Sequence, residues 1–145
     1  MNRQQFLEYV AHFNAKRYDA VTSYFHPDVT VEYYDDATYT GAPARTLHGA
    51  KEFIGHYIAL HEHTREAMEL GAFLSDDSWM FVELYTEFHT FKDPPANSGR
   101  TWKKGDVTVM TNFVLYDFDH GKFKRIRIFH HRHLDPGILK NKQTA

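Results

Sequence analysis

Three histidines in the segment 127–133, RIFHHRH, are the first residues whose types could do chemistry, because His130, His131 and His133 lie within four positions. Histidine is a common metal ligand, and a second group, HEH, occupies residues 61–63. A zinc-binding helix needs its histidines at i and i+4, whereas the second group offers i and i+2. On a strand, His130 and His131 point to opposite faces. We therefore expect no metal site, and the hypotheses below need no cofactor.

A second candidate group lies on the strand-like segment 79–91, WMFVELYTEFHTF. Residues two apart on a strand share a face. The odd positions combine aromatic and ionisable side chains (Glu83, Tyr85, Glu87 and His89), and the even positions are mostly apolar. Alternation alone would bury the even side. An unperturbed histidine has a pKa of about 6.5, so His89 could exchange protons near neutral pH. Glu87 would assist His89 only if burial raised the pKa of its carboxyl group or if His89 paired with it.

The elements that must position these side chains run from helices to strands. Apolar residues at helical spacing predict a first helix that ends near Arg17, and another helix begins at Gly49. Between them lie a short helical turn, a strand over 29–34 and a loop over 35–46. Four strand-like segments follow residue 66, and the sequence DHG at 119–121 predicts a tight hairpin. This order predicts one α+β domain over residues 1–145, with a curved antiparallel sheet wrapped around the N-terminal helices.

Composition narrows the function classes. The chain has 145 residues, a net charge of −2 and no cysteine. Near-neutral charge argues against a nucleic-acid partner, and the lack of cysteine removes disulfides, thiol catalysis and Cys-ligated zinc. No run is long enough to span a membrane, so we expect a cytoplasmic protein. Twelve Phe and nine Tyr would suit either an aromatic-lined cavity or an aromatic core.

The order of elements, together with the segments FHPDVTVEYY and DHGKFKRIRIF, resembles the SnoaL-like branch of the nuclear transport factor-like superfamily. Its relatives include ketosteroid isomerase, scytalone dehydratase and limonene-epoxide hydrolase. The resemblance covers nearly the whole chain and implies a cone-shaped sheet whose mouth is a pocket. One fold hosts many reactions, so the activity must be argued from the residues.

The resemblance to scytalone dehydratase implies roles for individual residues. Tyr33 matches a water-positioning tyrosine, His89 a catalytic histidine and Asn112 a pocket asparagine. The second catalytic histidine of that family falls near residues 63–64. Asn14 stands where the family has an aspartate, and an amide cannot act as a base, so the dehydratase reaction itself does not follow.

This chain lacks the catalytic carboxylates of two other groups of relatives. Ketosteroid isomerase-like enzymes have a carboxylate base where this chain has Tyr33, and epoxide hydrolase-like enzymes have an aspartate where it has Ile128. Neither chemistry transfers.

The resemblance also implies which side chains line the pocket. On segment 79–91 it turns the odd-numbered residues inward, against the alternation pattern. We follow the resemblance, with a dimer partner covering the even side. Tyr33, Glu87, His89 and Asn112 are then the expected catalytic residues. The expected substrate contacts are Phe13, Asn14, Tyr85, Met110, Ile128 and His130.

These residues support three hypotheses. The first is a cofactor-independent isomerase, cyclase or dehydratase acting on a small polyketide-like or polycyclic carbonyl compound of secondary metabolism. His89 would be its acid or base, assisted by Glu87 or Tyr33, and Asn112 would donate to the oxyanion. The second is a non-catalytic module that binds a small molecule or dimerises. The third is a scaffold with an exposed apolar patch on the even face of segment 79–91. We expect a homodimer.

Overall fold

The computed structural model describes residues 1–34 and 41–141, so residues 35–40 of the predicted loop lie outside the described residues. The fold is α+β, with one curved, unclosed sheet of six strands and few helices. This confirms the predicted fold class. None of the described helices is long and apolar enough to cross a membrane.

The helices are α1 (Arg3–Asn14), α2 (Tyr18–Thr22) and α3 (Gly49–His61), with a 3₁₀ turn at Pro136–Ile138. The strands are β1 (Phe25–Tyr33), β2 (Arg45–His48), β3 (Thr64–Ser75), β4 (Trp79–Thr90), β5 (Val107–Asp119) and β6 (Lys122–Leu134). Strand β2 is not predicted by the sequence, because Arg45 and Thr46 fall at the end of the expected loop and only Leu47 and His48 separate that loop from α3.

Helix α1 begins where the sequence satisfies its free backbone amides. The Asn2 side chain accepts a hydrogen bond from the Gln5 amide at 2.9 Å, and the Gln5 side chain accepts one from the Asn2 amide at 2.8 Å. This reciprocal pair is a capping box. The helix buries the stripe Phe6, Tyr9, Val10 and Phe13 against one face of the sheet, as its helical spacing predicts.

The strands lie in the order β2-β1-β6-β5-β4-β3. All neighbouring pairs are antiparallel except β1 and β6, which are parallel. The predicted hairpin is confirmed: Asp119 pairs with Lys122, and the two residues between them have positive φ, 49° at His120 and 72° at Gly121. Positive φ at both central positions fits the twist of a two-residue hairpin.

The even-numbered side chains of β4 face the helices. Met80, Val82 and Leu84 are buried in the same apolar core as the α1 stripe. The exposed apolar patch that the scaffold hypothesis requires is therefore missing from β4, and no dimer partner is needed to cover this side. The alternation pattern predicts the correct orientation of β4. The expectation that its odd-numbered side chains face the pocket is wrong.

The odd-numbered side of β4 is covered by the chain after β6. Glu87 is 0% exposed, and its Oε2 atom accepts hydrogen bonds from the Lys140 amide at 3.2 Å and the Asn141 amide at 2.8 Å. Its Oε1 atom lies 2.8 Å from Nε2 of His89. Burial alone would raise the pKa of Glu87, but the hydrogen bonds from Asn141 and His89 outweigh burial and lower it. A buried ionised carboxylate thus fastens the C-terminal segment to the sheet.

Replacing Glu87 with glutamine is expected to lower the free energy of unfolding by about 1–3 kcal/mol at neutral pH, because hydrogen bonds to a charged acceptor are lost. Because the folded pKa is depressed, the contribution is complete above the unfolded pKa of about 4.3 and is lost as pH falls through the folded value. Urea titrations at several pH values measure both effects.

The matched control is Glu83→Gln on the same face of β4, where Glu83 is only half-buried. A surface change of this kind should stay within about 0.5 kcal/mol. Equal losses for the two variants, or no change in the amide exchange of Lys140 and Asn141 in E87Q, would contradict the fastening role.

Candidate active-site cavity

A cavity lies between the concave face of the sheet and helices α1 and α3. Its inner part, counted with the space open to solvent, has an empty volume of about 590 Å³. Its polar lining groups are Tyr9, Tyr33, Tyr57, Glu66, Thr86, Asn112, Tyr116 and His130. Apolar side chains from α1, α3 and five of the strands line the rest. Few polar groups in an apolar wall are typical of a ligand-binding pocket.

Among the residues that the structure describes, Glu66 on β3 is the only acidic residue that lines this cavity. It is 7% exposed, and its Oε2 atom lies 3.0 Å from Nε2 of His61 on α3. Burial raises the pKa of Glu66, and the nearby His61 and Arg100 only partly oppose this effect. Removal from water disfavours the charged form of a carboxyl group. Glu66 can therefore hold or release a proton closer to neutral pH than an exposed glutamate can.

His61 links Glu66 to helix α2. Its Nδ1 atom lies 2.6 Å from the hydroxyl of Tyr18, and its ring packs between those of Tyr18 and Phe13. When Tyr18 donates to Nδ1, the neutral ring carries its proton on Nε2 and donates it to Glu66. Burial, followed by the charge of Glu66, raises the pKa of Tyr18, so the tyrosine keeps its proton. The chain Tyr18–His61–Glu66 fixes the carboxylate within the cavity.

Two hydroxyl groups meet at another point of the wall. The Tyr33 hydroxyl on β1 lies 2.8 Å from the Tyr57 hydroxyl on α3. Burial is the main cause that raises the pKa of Tyr57 well above its ordinary value, and Tyr33 and Glu66 add to it. The Tyr57 hydroxyl therefore remains protonated at neutral pH.

Asn112 on β5 presents an amide to the same cavity. It is 8% exposed, and its Nδ2 atom donates to the Thr86 hydroxyl at 3.4 Å. Its Oδ1 atom is buried without a hydrogen-bond partner among the described residues. A buried amide oxygen without a partner is costly, so Asn112 is suited to bind a polar ligand group.

A bulge on β6 positions the histidines of the segment 127–133. Asn112 pairs with His130, but Thr111 pairs with Arg132, so His131 is the extra residue. His130 lines the cavity, and the His131 ring stacks on Phe113 at 4.3 Å between ring centroids. The bulge returns His133 to the side of His130, with 6.3 Å between their ring centroids. The described residues contain no group of three or more metal-ligating side chains that could hold an ion.

The structure brings several of the expected site residues together. Phe13, Tyr33, Asn112, Ile128 and His130 line the inner cavity, and Met110 lines its outer part. Asn14 does not line it: the side-chain amide donates to the Met68 carbonyl at 2.9 Å and accepts from the Met68 amide at 2.8 Å. The expected substrate contact at Asn14 is therefore wrong, because both ends of its amide are occupied by the backbone.

Tyr85, Glu87 and His89 lie on the opposite face of the sheet from the cavity. Their expected places in the pocket are wrong, because the cavity is lined by the even-numbered Leu84, Thr86 and Phe88 of β4. Tyr85 accepts a hydrogen bond from the Lys140 amide at 3.3 Å, and Lys140 Nζ lies 4.7 Å from the centre of its ring. Tyr85 and Glu87 hold the C-terminal segment and His89 bonds Glu87, so none of the three reaches a ligand in the cavity.

Sequence reasoning missed Glu66, although two signals pointed to it. Tyr57 and His61 belong to the apolar stripe of α3, so an ionisable ring faces the core there. On β3, Glu66 alternates with the apolar Met68 and Leu70 on one face, as an inward-facing carboxylate would. The spacing of five residues between His61 and Glu66 spans a helix end and a strand start, and local periodicity does not relate the two.

Comparison with known proteins agrees with this architecture. The sequence profile of the SnoaL-like domain family matches residues 6–126. No sequence among the curated proteins matches the chain at a significant level. A SnoaL-like polyketide cyclase from Agrobacterium tumefaciens is similar in structure, with a TM-score of 0.64, 15% identity and 88% of each chain covered.

Two further solved structures are similar. One is an NTF2-like protein of unknown function from Burkholderia pseudomallei, with a TM-score of 0.67, 16% identity and 88% of each chain covered. The other is an LEH-like epoxide hydrolase from Mycobacterium tuberculosis, with a TM-score of 0.61 and 8% identity, covering 85% of this chain and 77% of that one. Identities this low establish the shared fold alone.

Glu66 gives a prediction for stability as a function of pH. The folded pKa is raised, so between the unfolded value of about 4.3 and the folded value the folded protein binds more protons, and stability falls as pH rises. Glu66→Gln lacks this loss. The free energy of unfolding of E66Q minus that of the wild type should therefore increase over that pH interval, as measured by urea titration. A difference that is flat or decreasing with pH would show that the carboxyl pKa is not raised.

Proposed function

Because the chain belongs to the SnoaL-like domain family, we propose that it is an acid–base enzyme, an isomerase, cyclase or dehydratase, whose substrate is a small polycyclic or polyketide-like carbonyl compound. The observation that carries this proposal is the Glu66 carboxyl group, which is buried at the wall of an apolar cavity and hydrogen-bonded to His61. The proposed chemistry uses proton transfer by side chains and needs no cofactor.

Glu66 is the proposed general base. Its raised pKa brings its proton affinity nearer to that of a carbon acid, and a base works best when its pKa lies near the operating pH. It would remove a proton from the carbon next to the substrate carbonyl and return it to another carbon in isomerisation. In dehydration the same carbanion would expel the β-hydroxyl group, which takes up the proton held by Glu66 and leaves as water. His61 and Tyr18 are positioning residues, since they act through Glu66.

Tyr33 and Asn112 are the proposed donors to the developing enolate oxygen. Tyr57 orients Tyr33 through the hydroxyl contact of 2.8 Å, and Thr86 holds the Asn112 amide. Donors fixed in advance in a water-poor site stabilise an oxyanion without reorganisation. The apolar groups Val31, Val114, Ile126 and Ile128 would contact the hydrocarbon frame of the substrate.

The alternative is a module of the same fold that binds a small molecule without transforming it. The outward placement of Glu87 and His89 favours it, because a pocket with its expected acid pair outside is suited to binding alone. Glu66 lines the cavity in place of that pair and is hydrogen-bonded to His61 behind it, and this favours the enzyme. The homodimer stays a prediction, which native mass spectrometry of the intact protein tests.

Glu66→Gln should slow proton transfer by about 10²–10⁴-fold, the usual contribution of a general base. The measurement is hydrogen–deuterium exchange next to the carbonyl of 2-tetralone, a bicyclic ketone, in deuterated water, observed by proton NMR. The control is Glu69→Gln on the same strand, whose carboxylate lies on the outer face and pairs with Lys140 at 3.2 Å. Exchange that the wild type does not accelerate, or equal rates for E66Q and the wild type, would count against the proposal.

Asn112→Ala should lower the same exchange rate by about 10²–10³-fold, the typical effect of removing one oxyanion donor. His89→Gln is the comparison, because glutamine can still donate to Glu87 and the side chain faces away from the cavity. H89Q should keep the wild-type rate to within about threefold. A large loss in H89Q with little change in N112A would place the chemistry on the other face of the sheet.

A further inference from the structure

The outer part of the cavity is lined by two arginines. Arg45 lies at the start of β2 and Arg100 in the loop between β4 and β5, and both line the pocket that opens beyond Glu66. Glu66 is the only acidic residue of that lining among the residues the structure describes. Its Oε2 atom already bonds His61. Two positively charged side chains therefore line the same outer pocket. The one carboxylate described in its lining, that of Glu66, is already hydrogen-bonded to His61.

No ion pair between described residues involves either arginine. Arg100 is half-buried, and burial together with the charge of Arg45 lowers its pKa. A guanidinium stays protonated in proteins, so the lowered pKa reflects an unfavourable position for a cation. The charge of Glu66 opposes these effects only in part, so the half-buried cation, which has no ion pair among the described residues, would be stabilised by a bound anion.

His56 on α3 does not supply that anion and adds no charge. Its Nδ1 atom lies 3.0 Å from Nη1 of Arg45, and because a guanidinium only donates, Nδ1 is the acceptor. Burial, followed by the charges of Arg45 and Arg100, lowers the pKa of His56 to about 4. The neutral ring therefore holds the Arg45 guanidinium in place and leaves its positive charge uncompensated.

An aromatic wall stands beside these arginines. The rings of Phe88 and Trp102 are 5.0 Å apart between centroids, and both line the outer pocket together with Met110. Flat apolar walls suit a planar ring system, and paired guanidinium groups suit a carboxylate, which they can bind through parallel hydrogen bonds.

We propose that the outer pocket binds the carboxylate group of an aromatic or polycyclic acid, with Arg100 and Arg45 as its cationic partners and the ring system against Phe88 and Trp102. This inference rests on the proposed function only for the orientation that brings the reacting carbon to Glu66. It adds a substrate class to it: an acid, and not the corresponding ester or amide. Arg100 and Arg45 are specificity-determining residues in this proposal.

The test compares 2-naphthoate with methyl 2-naphthoate, which has the same rings without the charge, by isothermal titration calorimetry. The wild type should bind the acid at least about tenfold more tightly than the ester, as expected for a charge-assisted pair. Arg100→Gln should remove most of that preference and leave the affinity for the ester unchanged. The preference should also weaken with added salt.

Lys104→Gln is the matched control, since Lys104 is an exposed cation on the same loop and does not line the pocket. K104Q should keep the preference to within about twofold, which separates local binding from the general effect of charge. The proposal is overturned if the acid binds no more tightly than the ester, or if R100Q retains the preference. Competition by inorganic phosphate at the affinity of the naphthoate would overturn the preference for a carboxylate.

Glu66→Gln distinguishes this proposal from the proposed function. E66Q should bind 2-naphthoate at least as tightly as the wild type, because a neighbouring negative charge is removed, while its proton-transfer rate falls. If E66Q still prefers 2-naphthoate over its methyl ester and its proton-transfer rate is unchanged, the carboxylate-binding site is supported and Glu66 is rejected as the base.

Discussion

A carboxyl group can be buried in an apolar cavity only when a partner satisfies it, and in this protein that partner is His61. The requirement links three parts of the chain, because Glu66 lies near the start of strand β3, His61 ends helix α3 and Tyr18 begins helix α2. Helix α3 must therefore lie across the concave face of the sheet. The same placement brings Tyr57 to Tyr33 and leaves the inner cavity open between them. The position of the helices and the chemistry of the cavity thus have one physical origin.

Much of the fold follows from local sequence patterns. The α1 stripe, the two-residue hairpin after Asp119 and the burial of even positions on β4 are all short-range signals, and the structure confirms each of them. The parallel pairing of β1 with β6 and the fastening of Glu87 by Asn141 join residues far apart in sequence. A polar residue buried by such a distant segment looks the same in the sequence as one that faces a ligand. The family resemblance places His89 in the pocket, and nothing in the local sequence shows that its partner Glu87 is covered by the chain after β6.

The candidate site shows the same division. The family resemblance implies that Tyr33, Asn112 and His130 face the pocket, and all three line the cavity. Glu66 and Arg100 were not predicted, since the role of each depends on partners from other elements, and local patterns show only that Glu66 faces inward. The bulge at His131 adds a second limit: one inserted residue reverses the faces of the positions after it. Strict alternation along β6 therefore stops being informative at the rim of the cavity.

The hydrogen bonds of the Asn14 side chain also cover part of the free edge of the sheet. Strand β3 is the last strand of the unclosed sheet, so its free edge offers backbone groups to any passing extended chain. The Asn14 side chain bonds both the amide and the carbonyl of Met68, and Arg3 bonds the Gly71 carbonyl. Helix α1 thereby occupies hydrogen-bonding positions that a neighbouring strand would otherwise take. An exposed edge is a template for aggregation, so the amide at position 14 contributes to keeping the molecules of a concentrated solution from joining edge to edge.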